Sequence, residues 1–486
     1  MDYLVHRFMR IKEIYRQTII SLFSKTGITI AGFFATIYFA HTVGPSILGL
    51  YFIFLAFYGI FDLISDGGFG SAAVKRISEG SDQDEFFSAY TFLRFGLSCI
   101  AVILLYFAYQ HLKDFDSPEL LFWLCIGIFA SIFASISFIG VYGAGKVGIS
   151  QISGLVQTLS QFFIQVIAIF LGFGFAGLAG GFIMGLLIQA GVNYRFLTLR
   201  LVKFRKDHLR SLFDFSVWSF LSSGGALIYA YADTLLIAYF MSSADVGIYR
   251  TVFQFTTIAC FITLAMQVVL LPKISSWRAM GENEKIVQTL ARAITTSLLL
   301  AVPICVGGWI LGDRLLYYLY GAPFVAGTFS LWVLLVVQIA NVFMLLLTTT
   351  LSAINYPRES FRVTVIASIV NIILNILLIP YFGILGAAIA TCCAMSLNAF
   401  LAHRILSKII VLRLEVHSIR SICAAALAMG VSVLLFRFFI PITTIYLVFA
   451  AVCFGIVIFL LFVIRMDSAI YDEIMGIIQE IRLDKS

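Results

Sequence analysis

Charge is what this 486-residue chain has least of. Only 12% of it is Asp, Glu, Lys or Arg, against 61% hydrophobic residues and a mean hydropathy of +1.02, which is too little polar surface for a water-soluble globule. Cysteine pairing is missing as well. The eight cysteines lie in apolar runs, with no CxxC spacing and no histidine cluster beside them. That excludes a disulfide framework or a metal site, and small core residues are the expected role. A nucleotide motif is also missing. Gly140 to Lys146 has the spacing GxxxxGK, but Val147 stands where Ser or Thr would hold Mg²⁺ and an apolar span replaces the buried strand, so the stretch reads as a turn. Transport energy from ATP bound to this chain is excluded, no cofactor is expected, and nothing suggests a nucleic-acid partner. The first residues, MDYLVHRFMRIKEIYR, are too charged for a cleaved signal peptide, so the first helix is expected to remain in the mature protein.

What the chain has is lipid-length apolar runs. Windows of about twenty apolar residues fall at 17–40, 47–66, 87–108, 119–141, 150–171, 176–198, 213–240, 246–271, 287–311, 326–352, 361–381, 384–406, 418–437 and 443–464. No ten-residue alternation suggests barrel strands, so these are helices that satisfy their own backbone groups. The expected fold is an all-α polytopic membrane protein of about fourteen transmembrane helices. With the N-terminus inside, inner segments hold 25 of the 32 lysines and arginines and outer loops only Lys113, Arg314 and Arg437. This bias places both termini in the cytoplasm of a multi-pass inner-membrane protein.

The chain also repeats itself. Leu48-Gly-Leu-Tyr51 matches Val246-Gly-Ile-Tyr249 at an offset of 198, and Arg94 matches Arg292 at the same offset. Lys75-Arg-Ile-Ser78 matches Pro272-Lys-Ile-Ser275 at 197, and Gly174-Phe-Ala-Gly177 matches Gly383-Ile-Leu-Gly386 at 209. Two six-helix bundles are therefore expected, 1–198 and 213–406, joined by a basic linker at 199–212 and followed by two appended helices and a tail at 407–486. Six is even, so both halves enter the membrane the same way round. They should be related by a pseudo-two-fold axis along the membrane normal, with a cleft between them, which is a transporter's architecture.

Two stretches resemble a known family. LGLYFIFLAFYGIFDLISDGGFGSAAVKRISEG, from Leu48, and NIILNILLIPYFGILGAAIAT, from Asn371, are similar to polysaccharide biosynthesis flippases of the Wzx type. These belong to the superfamily of multidrug, oligosaccharidyl-lipid and polysaccharide exporters, with the lipid II flippase. The resemblance covers nearly the whole chain through span twelve. It implies a flippase moving a polyprenyl-diphosphate-linked oligosaccharide, such as an O-antigen, capsule or exopolysaccharide unit, from inner to outer leaflet by alternating access. Its partners would be that lipid-linked oligosaccharide and membrane lipids, with H⁺ or Na⁺ possible, and glycan polymerase machinery as a possible associate. The alternatives are a cation-coupled multidrug exporter on the same scaffold and a membrane-embedded glycosyltransferase or polymerase. The last needs a sizeable loop with paired carboxylates or a histidine, and the longest outer loop here is about ten residues.

Charges inside spans are the candidate site. Lys25, Arg94 and Arg292 sit about two turns in from the inner side, where a diphosphate headgroup would need fixed positive charge; each could equally snorkel or pair with a carboxylate. Asp62 and Asp66 share a helix face and as two anions favour a cation or a shared proton, which suits an ion-coupling site. Their counterparts are Cys260 and Leu264, so the acidic pair exists only in the first half. The structural alternative is that Asp66 pairs with Arg94 or caps the next turn. Asp233 and Arg250 flank the outer turn at Ser243 as a salt bridge or, alternatively, a gate. Gln157, Gln161 and Gln165 line one face of span five, and Asn371 and Asn375 line span eleven, either as bonds between helices or as a polar cleft lining. Lys25→Ala is expected to abolish complementation of a flippase-deficient strain with the protein still in the membrane; full surface-glycan display in that mutant would remove Lys25 from the substrate path.

Overall fold

The computed structural model describes the backbone of residues 13–111 and 118–467, with side chains over 31–108, 119–225 and 227–467. Among them every regular element is helical, as lipid demands of a chain with no water to satisfy its peptide groups. The helices are α1 (Glu13–Asp66), α2 (Phe69–Ser78), α3 (Gln83–His111), α4 (Pro118–Gly143), α5 (Val147–Phe170), α6 (Gly174–Phe196), α7 (Lys206–Phe240), α8 (Ser243–Thr256), α9 (Phe261–Ala279), α10 (Asn283–Tyr320), α11 (Thr328–Ala353), α12 (Pro357–Phe382), α13 (Ile384–Leu406), α14 (Val416–Phe439) and α15 (Ile445–Met466).

Twelve stretches among the described residues are long and apolar enough to cross a membrane, thirteen with the bent α7. Helix α1 would run about 80 Å if straight, far beyond a hydrocarbon core of about 30 Å. It is broken at Gly44, whose backbone (φ 74, ψ 177) is not helical, just ahead of Pro45. Divided there, α1 supplies the first two expected spans and the set reaches fourteen. Helices α8 and α9 form one crossing interrupted by a 3-10 turn at Thr257–Cys260.

Two compact units account for the packing, Met1–Gly247 and Ile248–Ser486. In the first, α2, α3, α4 and the start of α7 share a core built on Ala72, Ile77, Tyr90, Ile136 and Leu212. Helix α7, which opens the second bundle in the repeat, thus packs with the first six spans. The basic linker is shorter than expected, since α7 already begins at Lys206. The preceding segment is pinned to the first unit: Arg200 N–H donates to Asp84 (2.9 Å), Val202 N–H to Ser88 Oγ (2.8 Å), and Lys146 Nζ to the Phe196 carbonyl (2.8 Å). Lys146, the last residue of the false nucleotide motif, is thereby spent on holding a turn.

The second unit has one core along α9, α10 and α11, closed by Leu406 and Ile410. Another lies where α14 and α15 pack on Leu311 of α10. Arg437 clamps that contact with a bidentate bridge to Asp313 (2.9 and 2.8 Å) and a further bond to the Ile310 carbonyl. The cysteines depart from expectation. All are free, but only Cys260 and Cys305 are buried, and Cys99, Cys393, Cys423 and Cys453 are exposed. A helix apolar all round has no face reserved for small core residues, so these four sit on outer surfaces.

Glycine sets the closest helix approaches, as in lipid, where small residues let backbones meet. A Cβ on Gly181 would come within 2.4 Å of Gln165, and one on Gly49 within 1.7 Å of the Ser243 carbonyl oxygen. Gly247, the repeat mate of Gly49, would reciprocate at 2.0 Å from the Pro45 oxygen. Gly49→Ala is expected to cost about 1–3 kcal/mol through overpacking, seen as earlier loss of monodisperse protein on heating in detergent. Gly59→Ala, whose new methyl meets Leu227 at an ordinary 3.4 Å, should melt like the parent.

Candidate functional site

The polar chemistry of the first unit converges where α1 ends. Asp62 and Asp66 occupy its last two turns, and Gly67 and Gly68 then adopt left-handed backbone (φ 57 and 77) to launch α2. No side chain with a Cβ takes that path cheaply twice in succession. The turn is fastened by Asp66, whose Oδ2 accepts the Gly70 N–H (3.2 Å) while Oδ1 accepts the Tyr90 hydroxyl (3.1 Å).

Arg94 of α3 enters this cluster from the side. Its Nη2 binds the Asp62 carboxylate and Ser131 Oγ of α4 (2.8 Å), and Nη1 reaches the Asp62 carbonyl (3.1 Å) with Asp66 Oδ1 at 3.9 Å. The residue is 1% exposed and its Nε has no acceptor. Asp62 and Asp66 keep 32% and 26% of their side-chain surface. The guanidinium is enclosed, and the two carboxylates form its outer wall. Of the roles open to Arg94, the geometry places it in the ion pair, with Asp66 both pairing and capping. A buried pair of this kind adds little net stability when intact, but losing one partner strands a charge. Asp62→Ala is expected to destabilise the protein by about 3–5 kcal/mol, seen as low folded yield in membranes. Asp62→Ala combined with Arg94→Leu, which removes the stranded charge, should recover part of that yield.

The duplicated arginine has a different setting. Arg292 lies on α10, is exposed, and lines a cleft of about 570 Å³ in the second unit. Glu284, Gln288 and Thr296 of the same helix share the lining, with Arg413 and Glu415 from the connection between α13 and α14. The locus of the missing acids is neutral. The Cys260 thiol donates to Gln338 Oε1 (3.2 Å), Asn341 Nδ2 donates to the same oxygen (3.2 Å), and Gln338 Nε2 donates to Thr256 Oγ1 (3.0 Å). Gln338 and Asn341 were not singled out in the sequence, where two amides three residues apart in an apolar run were the available signal.

The glutamine stripe ties helices together, whereas the asparagine pair bonds within its own helix. Gln161 and Gln165 donate to the Tyr51 hydroxyl (3.2 and 3.0 Å), and Gln165 also to the Leu178 carbonyl (2.7 Å), so α5 is bonded to α1 and α6. Asn375 donates to Asn371 Oδ1 (3.0 Å), both buried on α12. Tyr249, the mate of Tyr51, meets Thr391 Oγ1 at 3.3 Å instead. Asp233 is half-buried on α7 in the first unit. Arg250 is half-buried on α8 in the second, its guanidinium 5.9 Å from the Phe253 ring centre. Lys25 falls within α1, but its side chain lies outside the described residues. Among the described residues no group of histidine, cysteine and carboxylate side chains could hold a metal ion.

Comparison with known proteins follows the same lines. The chain is 25% identical over 427 residues to the "Probable low-salt glycan biosynthesis flippase Agl15" of Haloferax volcanii, covering 88% of this chain and 90% of that one. It is 27% identical over 416 residues to the "Probable flippase AglR" of the same organism, covering 83% and 85%. Its fold is similar to that of the lipid II flippase MurJ in an inward closed conformation (TM-score 0.79, 18% identity, 94% of this chain and 100% of that one). It is also similar to an inward-facing multidrug resistance transporter of the MATE family and MOP superfamily (TM-score 0.62, 15% identity, 81% and 94%). The model of one family, described as "Polysaccharide biosynthesis protein", matches residues 39–326, and the chain belongs to that family.

Proposed function

We propose that the chain is a flippase that carries a polyprenyl-diphosphate-linked oligosaccharide from the inner to the outer leaflet of the cytoplasmic membrane, with both termini in the cytoplasm. The observation that carries this reading is Arg292, an exposed guanidinium that opens onto a cleft in a lipid-spanning helix. Hydrocarbon cannot solvate it, so its surroundings must hold water or an anion. A diphosphate with its forked oxygens suits a guanidinium well. Support comes from the family and from the Haloferax relatives, which are named as probable flippases. Lys25 is a second cation proposed for the same substrate.

Arg94 has a scaffold role in this reading, because its charge is met by Asp62 and Asp66. Coupling to H⁺ or Na⁺ is proposed at those two carboxylates, which outnumber their cation and remain partly exposed. The MATE neighbour keeps the rival reading, a cation-coupled exporter of small amphipathic drugs, in play. The family and the Haloferax relatives, named as probable flippases, favour the glycan reading over it. An association with glycan polymerase machinery is proposed on the family alone.

The test is reconstitution in vesicles with a fluorescent polyprenyl-diphosphate glycan in both leaflets. Wild-type protein should make the inner-leaflet pool, as well as the outer, accessible to a membrane-impermeant quencher within minutes, and Arg292→Gln should slow this at least about tenfold, the worth of one charge-assisted hydrogen bond. A protein that leaves the glycan lipid in place yet extrudes an amphipathic dye would overturn the reading in favour of the drug exporter.

A further inference from the structure

The strap that joins α6 to α7 is strongly basic on its outer side. Residues 195–210 hold Arg195, Arg200, Lys203, Arg205, Lys206 and Arg210 against a single carboxylate, Asp207, and all of these cations are exposed. Among the described residues none of them joins an ion pair. Two carboxylates that the strap does meet are used by other groups, since Asp84 accepts the Arg200 N–H (2.9 Å) and Asp82 stands 3.4 Å from His208 Nε2. The inner side is apolar. Leu197, Leu199, Phe204 and Leu209 pack on the core shared by α2, α3 and α4, and with the bond from Val202 N–H to Ser88 they fix a backbone that has no regular structure over 197–205. An extended chain turns alternate residues to opposite faces, so Leu201 would follow Leu197 and Leu199 inward. It is instead 68% exposed, among the cations, with Phe196 and Val202 exposed on either side of it.

A surface that mixes cations without counter-charges and exposed apolar side chains suits a partner that is anionic and greasy at once. The place of the strap says which. It leaves a crossing at Phe196 and enters the bent crossing that starts at Lys206, so it lies where hydrocarbon gives way to headgroups. Phosphates are there within reach of lysine and arginine, and acyl chains begin just below. We infer that the exposed face of residues 195–210 is a docking surface for anionic phospholipid, with Arg200, Lys203 and Lys206 on headgroup phosphates and Leu201 in the acyl boundary. Basic residues beside a membrane crossing draw anionic lipid through its surface charge, and a buried apolar side chain adds a contribution that salt does not screen. The consequence falls on α7. Because the strap's backbone is bonded to Asp84 and Ser88 of α3, lipid gathered on its outer side braces the first turn of α7 against the first unit. This role is independent of what the protein transports.

Full-length protein in detergent micelles doped with equal amounts of phosphatidylglycerol and phosphatidylcholine is analysed by native mass spectrometry, which counts the lipids it retains. Wild type should keep phosphatidylglycerol in excess, and the excess should shrink as NaCl rises from about 0.05 to about 0.5 M, because exposed charges are screened. Arg200→Gln, Lys203→Gln and Lys206→Gln together should cut the preference at least about tenfold, each basic side chain near an anionic surface being worth about fivefold before screening. The comparison variant carries Arg278→Gln, Lys285→Gln and Arg362→Gln. Those cations already bond to Asn283, Glu282 and Glu359 of their own neighbourhoods, so it loses the same net charge and should keep the preference. Equal retention of both lipids by wild type, a preference that ignores salt, or equal losses in the two triple variants would overturn the inference. So would poly-glutamate binding that wild type shows and the strap variant lacks while both keep phosphatidylglycerol, since the face would then serve an acidic protein.

Discussion

A guanidinium in a lipid-crossing helix must meet a counter-charge, a hydrogen-bond acceptor or water, and the two arginines at one repeat position have different surroundings. Arg94 is enclosed by Asp62, Asp66 and Ser131. Its charge is cancelled inside the first unit, and α1, α3 and α4 are locked to one another as a consequence. Cys260 and Leu264 stand at the equivalent positions of the second half, and Arg292 lines a cleft together with Glu284, Arg413 and Glu415. The neutral network that fills the vacated place, Cys260 with Gln338, Thr256 and Asn341, keeps the broken crossing α8–α9 attached to α11 without any charge.

The rest of the packing follows from the weakness of hydrophobic attraction between helices already in lipid. Amides and hydroxyls bind helices at Tyr51 with Gln161 and Gln165, and at Tyr249 with Thr391. Glycines set the distance at which those bonds can form, as where Gly181 and Gly185 allow α6 to lie against Gln165 and Gln161. The two devices depend on each other. A bulkier residue at Gly181 would separate Gln165 from the Leu178 carbonyl as it separated the helices.

Much of this was legible in the sequence, for identifiable reasons. Runs of apolar residues cannot be anything but crossings, so the spans fall close to their expected places, and the repeat was visible as matched quartets at fixed offsets. The alternative that Asp66 pairs with Arg94 could be raised because few partners exist for a carboxylate in lipid. The direction in which each helix faces was not legible. A segment apolar all round carries no periodic signal, so the exposed cysteines were misplaced in a core. The lining of the cleft by Arg413 and Glu415 depends on a connection more than a hundred residues from Arg292, which no local pattern discloses. The grouping of α7 with the first unit likewise comes from packing on α2 and α3, whereas homology between the halves would assign it to the second.

The clamp between Arg437 and Asp313 bears on how the protein is made. Because α14 covers Leu311 and supplies the guanidinium that Asp313 binds in a bidentate bridge, a nascent chain that has emerged only as far as α13 leaves Asp313 with Arg314 of its own helix as its cation and an uncovered flank beside it. The second unit is therefore completed only at the end of translation, and whatever shields α10 until then has to yield to the last two helices.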